Sequence, residues 1–130
     1  DIPISTGESE FTRFAFRDLL ALRAADIIQP DPSIAGGITE CMRIEALAAA
    51  HQVRFAPHMW GGAVTFASGL TLAAVATSGF ILEYSLGANP MLHELALEDF
   101  PVELGRVAIP ERPGLGVTID EGFVERHRVP

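Results

Sequence analysis

Short apolar runs recur along the first two-thirds of the chain, and stretches with helical periodicity separate them. The runs read IPIS, ADIIQ, VRFA and GFILE, and the helical stretches span residues 11–24, 38–51 and 63–77. This alternation of strand and helix predicts an α/β fold made of βα units around a parallel sheet. Because each run is continuously apolar, we expect the strands to be buried on both faces.

The helical stretches also predict which side chains face the core. A period of 3.6 residues favours a buried face in residues 11–24 made of Phe11, Ala15, Leu19 and Leu22. In residues 38–51 the apolar face consists of Cys41, Ile44, Leu47 and Ala48. Residues 63–77 are apolar almost all round, so we expect this helix to be well buried.

The pattern changes after Glu83, where the 25-residue unit does not recur and five prolines follow. Residues 105–120 predict a short strand, a turn region and another strand. We expect this tail to form a separate layer that lies over another part of the protein. Gly114 and Gly116 are best interpreted as turn residues, because no helix or GK[ST] motif follows them as in a phosphate-binding loop.

Composition limits the setting and the partners of the protein. Among 130 residues 48% are hydrophobic, which is ample for a core, and there is one cysteine, so no internal disulfide can form. No apolar run is long enough for a membrane helix, and the first residues do not resemble a signal peptide. We therefore expect a cytoplasmic protein that does not bind membranes.

Charge narrows the chemistry further. The net charge is −8, and nine scattered arginines supply all the fixed positive charge, because the chain contains no lysine. Nucleic acid is not an expected partner, since its backbone calls for clustered cations. A mechanism that needs a lysine base would have to take it from another segment.

One ionisable residue closes each of the four apolar runs. These residues are Glu8, Asp31, His58 and Glu83, at intervals of 23, 27 and 25 residues. A single polar residue at a strand end often only marks the point where the chain meets solvent. Four in register are different, because the carboxyl ends of parallel strands meet at one edge, where α/β active sites form.

Each of the four suits a distinct chemical task. Asp31 and His58 end neighbouring strands, and an aspartate that accepts a hydrogen bond from one imidazole nitrogen makes the other a better base. Glu8 offers the hard oxygen that magnesium prefers, although one carboxylate is not a site. Glu83, flanked by apolar residues, could donate a hydrogen bond to an oxyanion.

Structural alternatives stay open for the same residues. His58 could cap the turn in PHMW, and Asp31 could cap the turn that leads into SIAGG. Glu83 could simply pair with an arginine.

The ordered set TGE, QPD, PH and LEY resembles the mandelate racemase-like subgroup of the enolase superfamily (the mandelate racemase/muconate lactonizing enzyme family). GESEFTRFAFRDLL, DIIQPDPSIAGGITE and PHMWGG carry the likeness, which covers essentially the whole chain. The resemblance implies that residues 1–85 are the second half, strands 5–8, of a (β/α)7β TIM-like barrel. It implies that residues 86–130 return to a capping domain.

The resemblance also implies roles for single residues. Glu8 would be one ligand of Mg2+, with the other ligands expected upstream of residue 1. Asp31 and His58 would form a dyad in which His58 transfers the proton, and Glu83 would hydrogen-bond the substrate carboxylate. Trp60 could line the substrate pocket, although a packing role is an equal alternative. Arg13 is expected on the helix surface or in an interface.

The reaction implied is removal of the proton α to a carboxylate of a small molecule. Acid-sugar dehydration is the leading hypothesis, and racemisation or epimerisation of a 2-hydroxy acid is the alternative. In the full-length form such an enzyme is expected to be a homo-oligomer. Alone, the chain is expected to be inactive, because metal ligands and a lysine motif would be missing, and an inert fragment is a further alternative.

Overall fold

A computed structural model describes residues 1–129. Its centre is a parallel three-stranded sheet in the order β1 (Ser5–Thr6), β2 (Ile27–Ile28) and β3 (Arg54–Phe55). Ser5 lies opposite Ile27, and Ile27 lies opposite Arg54. Helix α1 (Thr12–Ala21) connects β1 to β2, and α2 (Ile38–Ala50) connects β2 to β3. The predicted βα units and parallel sheet are therefore confirmed.

Burial on both faces, predicted for every strand, holds only for the central one. Both residues of β2 are buried, whereas both residues of β1 are exposed and β3 has one of each. Ile2 and Ile4, which lead into β1, are also exposed. The reason is positional, because β2 has a strand on either side and packs against α1 and α2, while β1 lies at the edge.

The fourth apolar run does not form the predicted strand over residues 79–83. It makes a single parallel bridge in which Gly79 lies opposite Phe55. The Phe55 N–H donates to the Ser78 carbonyl, and the Phe80 N–H donates to the Phe55 carbonyl. The next donor on β3 would be residue 57, which is proline and has no N–H, so the ladder ends there.

Helix α1 buries a different face from the one predicted. Phe16 and Leu20 are its buried residues, whereas Phe11 and Leu22 are exposed. The predicted face took Phe11 as its first helical residue, but Phe11 lies outside the helix at the N-cap position. Phe16 and Leu20 are four residues apart, so they occupy one stripe, which packs against the sheet and α2.

Helix α2 and helix α3 (Ala63–Val75) agree with prediction. Cys41, Ile44 and Ala48 of α2 are buried, with Leu47 partly buried beside them. Burial raises the pKa of the Cys41 thiol to about 12, with smaller contributions from the charges of Asp31 and Glu40. Most of α3 is buried, as expected from a helix that is apolar on every side.

Residues 84–129 form a tail, and part of it packs against α3. Helix α4 (Pro90–His93) and the antiparallel pair β4 (Val102–Glu103) and β5 (Arg106–Val107) are followed by α5 (Glu121–Arg126). Phe66 and Leu70 of α3 share a core with Leu92 and Phe100 of the tail. The predicted first strand forms as β5, the second is reduced to a bridge between Ala96 and Ile119, and Gly114 and Gly116 lie in a turn with positive φ.

Candidate active site

The strand ends bring the four ionisable side chains together around one imidazole ring. Glu8, Asp31 and His58 follow β1, β2 and β3, and Glu83 follows the bridged run. His58 is the common neighbour, with Asp31 on one ring nitrogen and the two glutamates near the other. The convergence at one edge that the spacing predicted is thus present in the structure.

Asp31 and His58 form a buried pair. The Nδ1 atom of His58 lies 2.9 Å from Oδ2 of Asp31, and the side chains are 11% and 2% exposed. Because a carboxylate accepts hydrogen bonds, this contact assigns the ring proton to Nδ1. The His58 N–H also donates to the Pro30 carbonyl, so backbone and side chain both fix the ring to the end of β2.

The second ring nitrogen of His58 faces the open side of the site. Its Nε2 atom is 3.5 Å from Oε2 of Glu8 and 3.8 Å from Oε2 of Glu83, both longer than a good hydrogen bond. The side chains of Glu8 and Glu83 are 61% and 43% exposed. The Met59 N–H donates to Oε2 of Glu83 at 3.3 Å and ties this carboxylate to the end of β3.

Gly7 allows β1 to present Glu8. Its φ is +119°, a conformation that other residues rarely adopt, and the chain turns here directly after the strand. A Cβ atom at this position would lie 2.7 Å from the Phe16 ring. Glycine is therefore required both by the backbone conformation and by the packing of α1 underneath it.

The carboxylate oxygens at the site are the groups to consider for metal binding. Glu8 offers an exposed carboxylate of the kind that magnesium binds. Across residues 1–129, however, the His, Cys, Asp and Glu side chains form no cluster of three or more that could hold an ion. The described residues thus do not make a complete metal site by themselves.

Other sequence expectations have mixed outcomes in the structure. Trp60 is 75% exposed two residues beyond His58, so its ring is not packed in a core. Arg13, expected on the helix surface or in an interface, has a side chain that is 37% exposed, and its guanidinium pairs with Glu40 of α2 at 2.6 Å. Sequence reasoning missed Ser33, whose N–H and hydroxyl both donate to Asp31. The signal for it was a serine two residues after an aspartate, a common turn arrangement.

Two further carboxylates on α2 have structural surroundings. Glu40 accepts from the Arg13 N–H at the start of α1, where Phe11 provides no side-chain cap, and it pairs with Arg43. Glu45 accepts from Thr77 and Ser78 in the turn after α3. Both are buried although charged; Glu40 accepts hydrogen bonds on both oxygens, and Glu45 accepts its three hydrogen bonds on Oε1.

Two surface clefts lie elsewhere. One is lined by Pro101, Glu103 and Leu104 in the tail, and another of about 390 Å³ lies between α3, the fourth run and β5. Neither is lined by Glu8, Asp31, His58 or Glu83. The candidate site therefore lies outside both clefts, with the side chains of Glu8 and Glu83 exposed. In the part of the chain that is described, no helix is long and apolar enough to cross a membrane.

Comparison with known proteins gives a consistent family. The family model described as enolase C-terminal domain-like matches residues 1–123. D-galactonate dehydratase of Xanthomonas oryzae pv. oryzae is 38% identical over 131 residues, covering 96% of this chain and 34% of that protein. D-galactonate dehydratase of Verminephrobacter eiseniae is 39% identical, covering 98% and 35%. The chain thus spans about a third of the length of these curated relatives.

Solved structures agree with the sequence comparison. The 3,6-anhydro-D-galactonate cycloisomerase of Zobellia galactanivorans is 34% identical with a TM-score of 0.90, over 97% of this chain and 36% of that one. An enolase from Agrobacterium radiobacter, solved with bound Na and L-malate, is 33% identical with a TM-score of 0.86, over 98% and 38%. These relatives have the same fold over the matched region.

Proposed function

The chain belongs to the enolase C-terminal domain-like family, and we propose that it provides the proton-transfer part of an acid-sugar dehydratase. The observation that carries the proposal is the Asp31–His58 pair, whose free Nε2 points to the open side between two carboxylates. The matched dehydratases support the substrate class. The sequence prediction of the family is confirmed, while the reaction and the residue roles remain our proposal.

In this proposal His58 removes the proton from the carbon next to the substrate carboxylate. Asp31 holds the ring so that Nε2 receives this proton, and the resulting imidazolium can return it to the β-hydroxyl group as that group departs as water. The remaining enol becomes a 2-keto-3-deoxy acid. We propose that Glu83 in its protonated form donates a hydrogen bond to the substrate carboxylate, and the contact of its Oε2 with the Met59 N–H supports this role.

We further propose Mg2+ as the cofactor, with Glu8 as one ligand and the others from residues outside this chain. When bound, such an ion stabilises negative charge that develops on the substrate carboxylate. The exposure of Glu8 supports this role, and the absence of a three-ligand cluster in residues 1–129 is the reason for assigning the rest elsewhere. Trp60, exposed at the same edge, is proposed to border the substrate.

The placement within a larger enzyme is also a proposal. Residues 1–85 would form strands 5–8 of a (β/α)7β barrel, and residues 86–130 would join a capping domain. The parallel order β1–β2–β3 and the exposed edge of β1 support a sheet that continues beyond this chain. A homo-oligomeric form stays a prediction.

A chimera tests the proposed function directly. The matched third of D-galactonate dehydratase from Xanthomonas oryzae is replaced by this chain, and the product is assayed with Mg2+ on a panel of sugar acids. We expect a 2-keto-3-deoxy acid, and no product from the His58→Asn chimera. A folded chimera that is inactive on the whole panel, or that is unaffected by His58→Asn, would contradict the proposal.

The same assay separates racemisation from dehydration. A racemase needs a base on each face of the substrate carbon, and the described residues bring one histidine to the site. Exchange of the α-proton with solvent deuterium, with inversion and without a keto acid, would favour the racemase. The inert-fragment alternative is tested by calorimetry, since Mg2+ binding to this chain alone that is lost in Glu8→Ala would contradict it.

A further inference from the structure

Asp31 is held on both of its oxygen atoms. While Oδ2 contacts His58, Oδ1 accepts from the Ser33 N–H at 2.7 Å and from the Ser33 hydroxyl at 2.5 Å. Asp31 is buried, whereas Ser33 is exposed at the surface of the same turn. The serine therefore contacts the partner of the imidazole without touching the imidazole itself.

The backbone around Asp31 is restricted, so the orientation of its carboxylate depends mainly on the side-chain torsions. Pro30 and Pro32 flank the aspartate, and both are buried. Proline fixes its own φ and restricts the residue before it, so the backbone of this segment has few alternatives. The carboxylate can still turn about its last bond, because torsions to planar groups are broad. Two donors on Oδ1 remove this freedom and aim Oδ2 at Nδ1.

We propose that Ser33 is a positioning residue that fixes the plane of the Asp31 carboxylate and, through it, the tautomer of His58. The inference rests on the proposed function, in which the ring must carry its proton on Nδ1 and keep Nε2 free. Ser33→Ala removes the hydroxyl but keeps the backbone N–H, so a loosened rather than an absent carboxylate contact is expected.

Nitrogen NMR of the histidine rings in this chain is the test. The protein is labelled with ¹⁵N-histidine and measured at about pH 8.5, where histidines are ordinarily neutral. Among four histidines, the His58 signals are identified by their loss in His58→Asn. We expect well-separated Nδ1 and Nε2 shifts in the wild type and Ser33→Thr, and shifts that converge in Ser33→Ala. Unchanged shifts in Ser33→Ala would overturn the proposal.

Controls distinguish positioning from a general loss of structure. Thr71→Val removes a hydroxyl that donates to the Ala67 carbonyl within α3, and it should leave the His58 signals unchanged. Ser33→Cys keeps the size of the side chain but offers only a weak donor, and it replaces Ser33→Ala if that variant does not fold. Converged shifts in Thr71→Val as well would contradict a specific role of Ser33.

Kinetics of the chimera provide an independent readout. Ser33→Ala is expected to lower kcat on the order of tenfold, the scale of one hydrogen bond to a charged group, with KM unchanged and with rescue by Ser33→Thr. An unchanged kcat would contradict the proposal. If His58→Asn does not affect turnover, the proposed function fails, whereas the NMR result for Ser33 still decides whether the serine orients the ring.

Discussion

Two pairs of glutamates in this protein carry the same charge but differ in their burial and in their hydrogen bonds. Glu40 and Glu45 on α2 are buried and accept several hydrogen bonds from neighbouring elements, Glu40 on both oxygens and Glu45 on Oε1. Glu8 and Glu83 at the strand ends are exposed and face the free nitrogen of His58 at 3.5 and 3.8 Å. The first pair joins helices and turns, while the second leaves carboxylate oxygens available.

The comparison shows how a structural carboxylate differs from a candidate functional one. A buried charge is tolerated only when its oxygens are satisfied inside the protein, and such a group has little capacity left for a ligand. An exposed carboxylate near a base keeps that capacity. We therefore expect changes on α2 to affect stability and changes at the strand ends to affect activity, and the following experiments test this division.

The largest effect is expected at the residue that the strand-end carboxylates surround. In the chimera, His58→Asn should lower kcat by about 10²–10⁴-fold, the usual contribution of a general base. Its free energy of unfolding should change little, because asparagine can still donate to Asp31. Steady-state kinetics measure kcat, and urea denaturation measures the free energy of unfolding. If the variant lost enough stability to explain its loss of activity, the expectation that strand-end changes act on activity alone would be contradicted.

Next in size is the loss of a buried α2 carboxylate. Glu45→Ala should lower the free energy of unfolding of the chain by about 2 kcal/mol, because it leaves the donors of Thr77 and Ser78 without their acceptor. Glu83→Ala is the matched control at the strand ends and should cost about 0.5 kcal/mol or less. Equal losses in the two variants would show that burial does not separate the pairs.

Acid should weaken the α2 contacts. Burial alone would raise the pKa of Glu45, but hydrogen bonds from Ser78 and Thr77 more than offset it and hold the pKa below its ordinary 4.5. A lowered pKa in the folded state stabilises the protein above pH 4.5, and this stabilisation is lost as the pH falls through the folded value. The difference in unfolding free energy between pH 7 and pH 3.5 should therefore be smaller in Glu45→Gln. An identical difference in both proteins would exclude this role.

The smallest effect concerns the stability of the candidate metal ligand. Glu8→Gln should change the unfolding free energy by no more than about 0.5 kcal/mol, as is usual for exposed side chains. In the chimera the same variant should require more Mg2+ for half-maximal activity. A Mg2+ dependence that is unchanged would remove Glu8 from the proposed metal site.

Much of the fold could be predicted because it depends on local periodicity. The apolar stripe of α2 and the uniformly apolar α3 determine their burial whatever surrounds them. The face of α1 could not be read in the same way, since it depends on where the helix begins, and the structure begins it at Thr12. The fourth run did not become a strand for a reason outside its own residues, namely that Pro57, two residues beyond the end of β3, has no N–H to continue the ladder.

The candidate site was predictable to the extent that topology determines it. Parallel strands bring their carboxyl ends together, so the spacing of Glu8, Asp31, His58 and Glu83 was enough to predict their proximity. The turn that Asp31 caps was an alternative stated from the sequence, but the added contact of the Ser33 hydroxyl was not foreseen, because it depends on how one side chain turns within a loop. The Glu40 contact with the start of α1 was also beyond sequence reasoning, since no strand register brings these two positions together.

Gly7 limits the substitutions that relatives of this chain can accept. Its positive φ and the 2.7 Å approach to the Phe16 ring mean that a larger residue needs two accommodations at once, a different turn and a smaller side chain on α1. Residues 7 and 16 should consequently vary together. The turn before Glu8 therefore also restricts which side chain can occupy position 16 in the core.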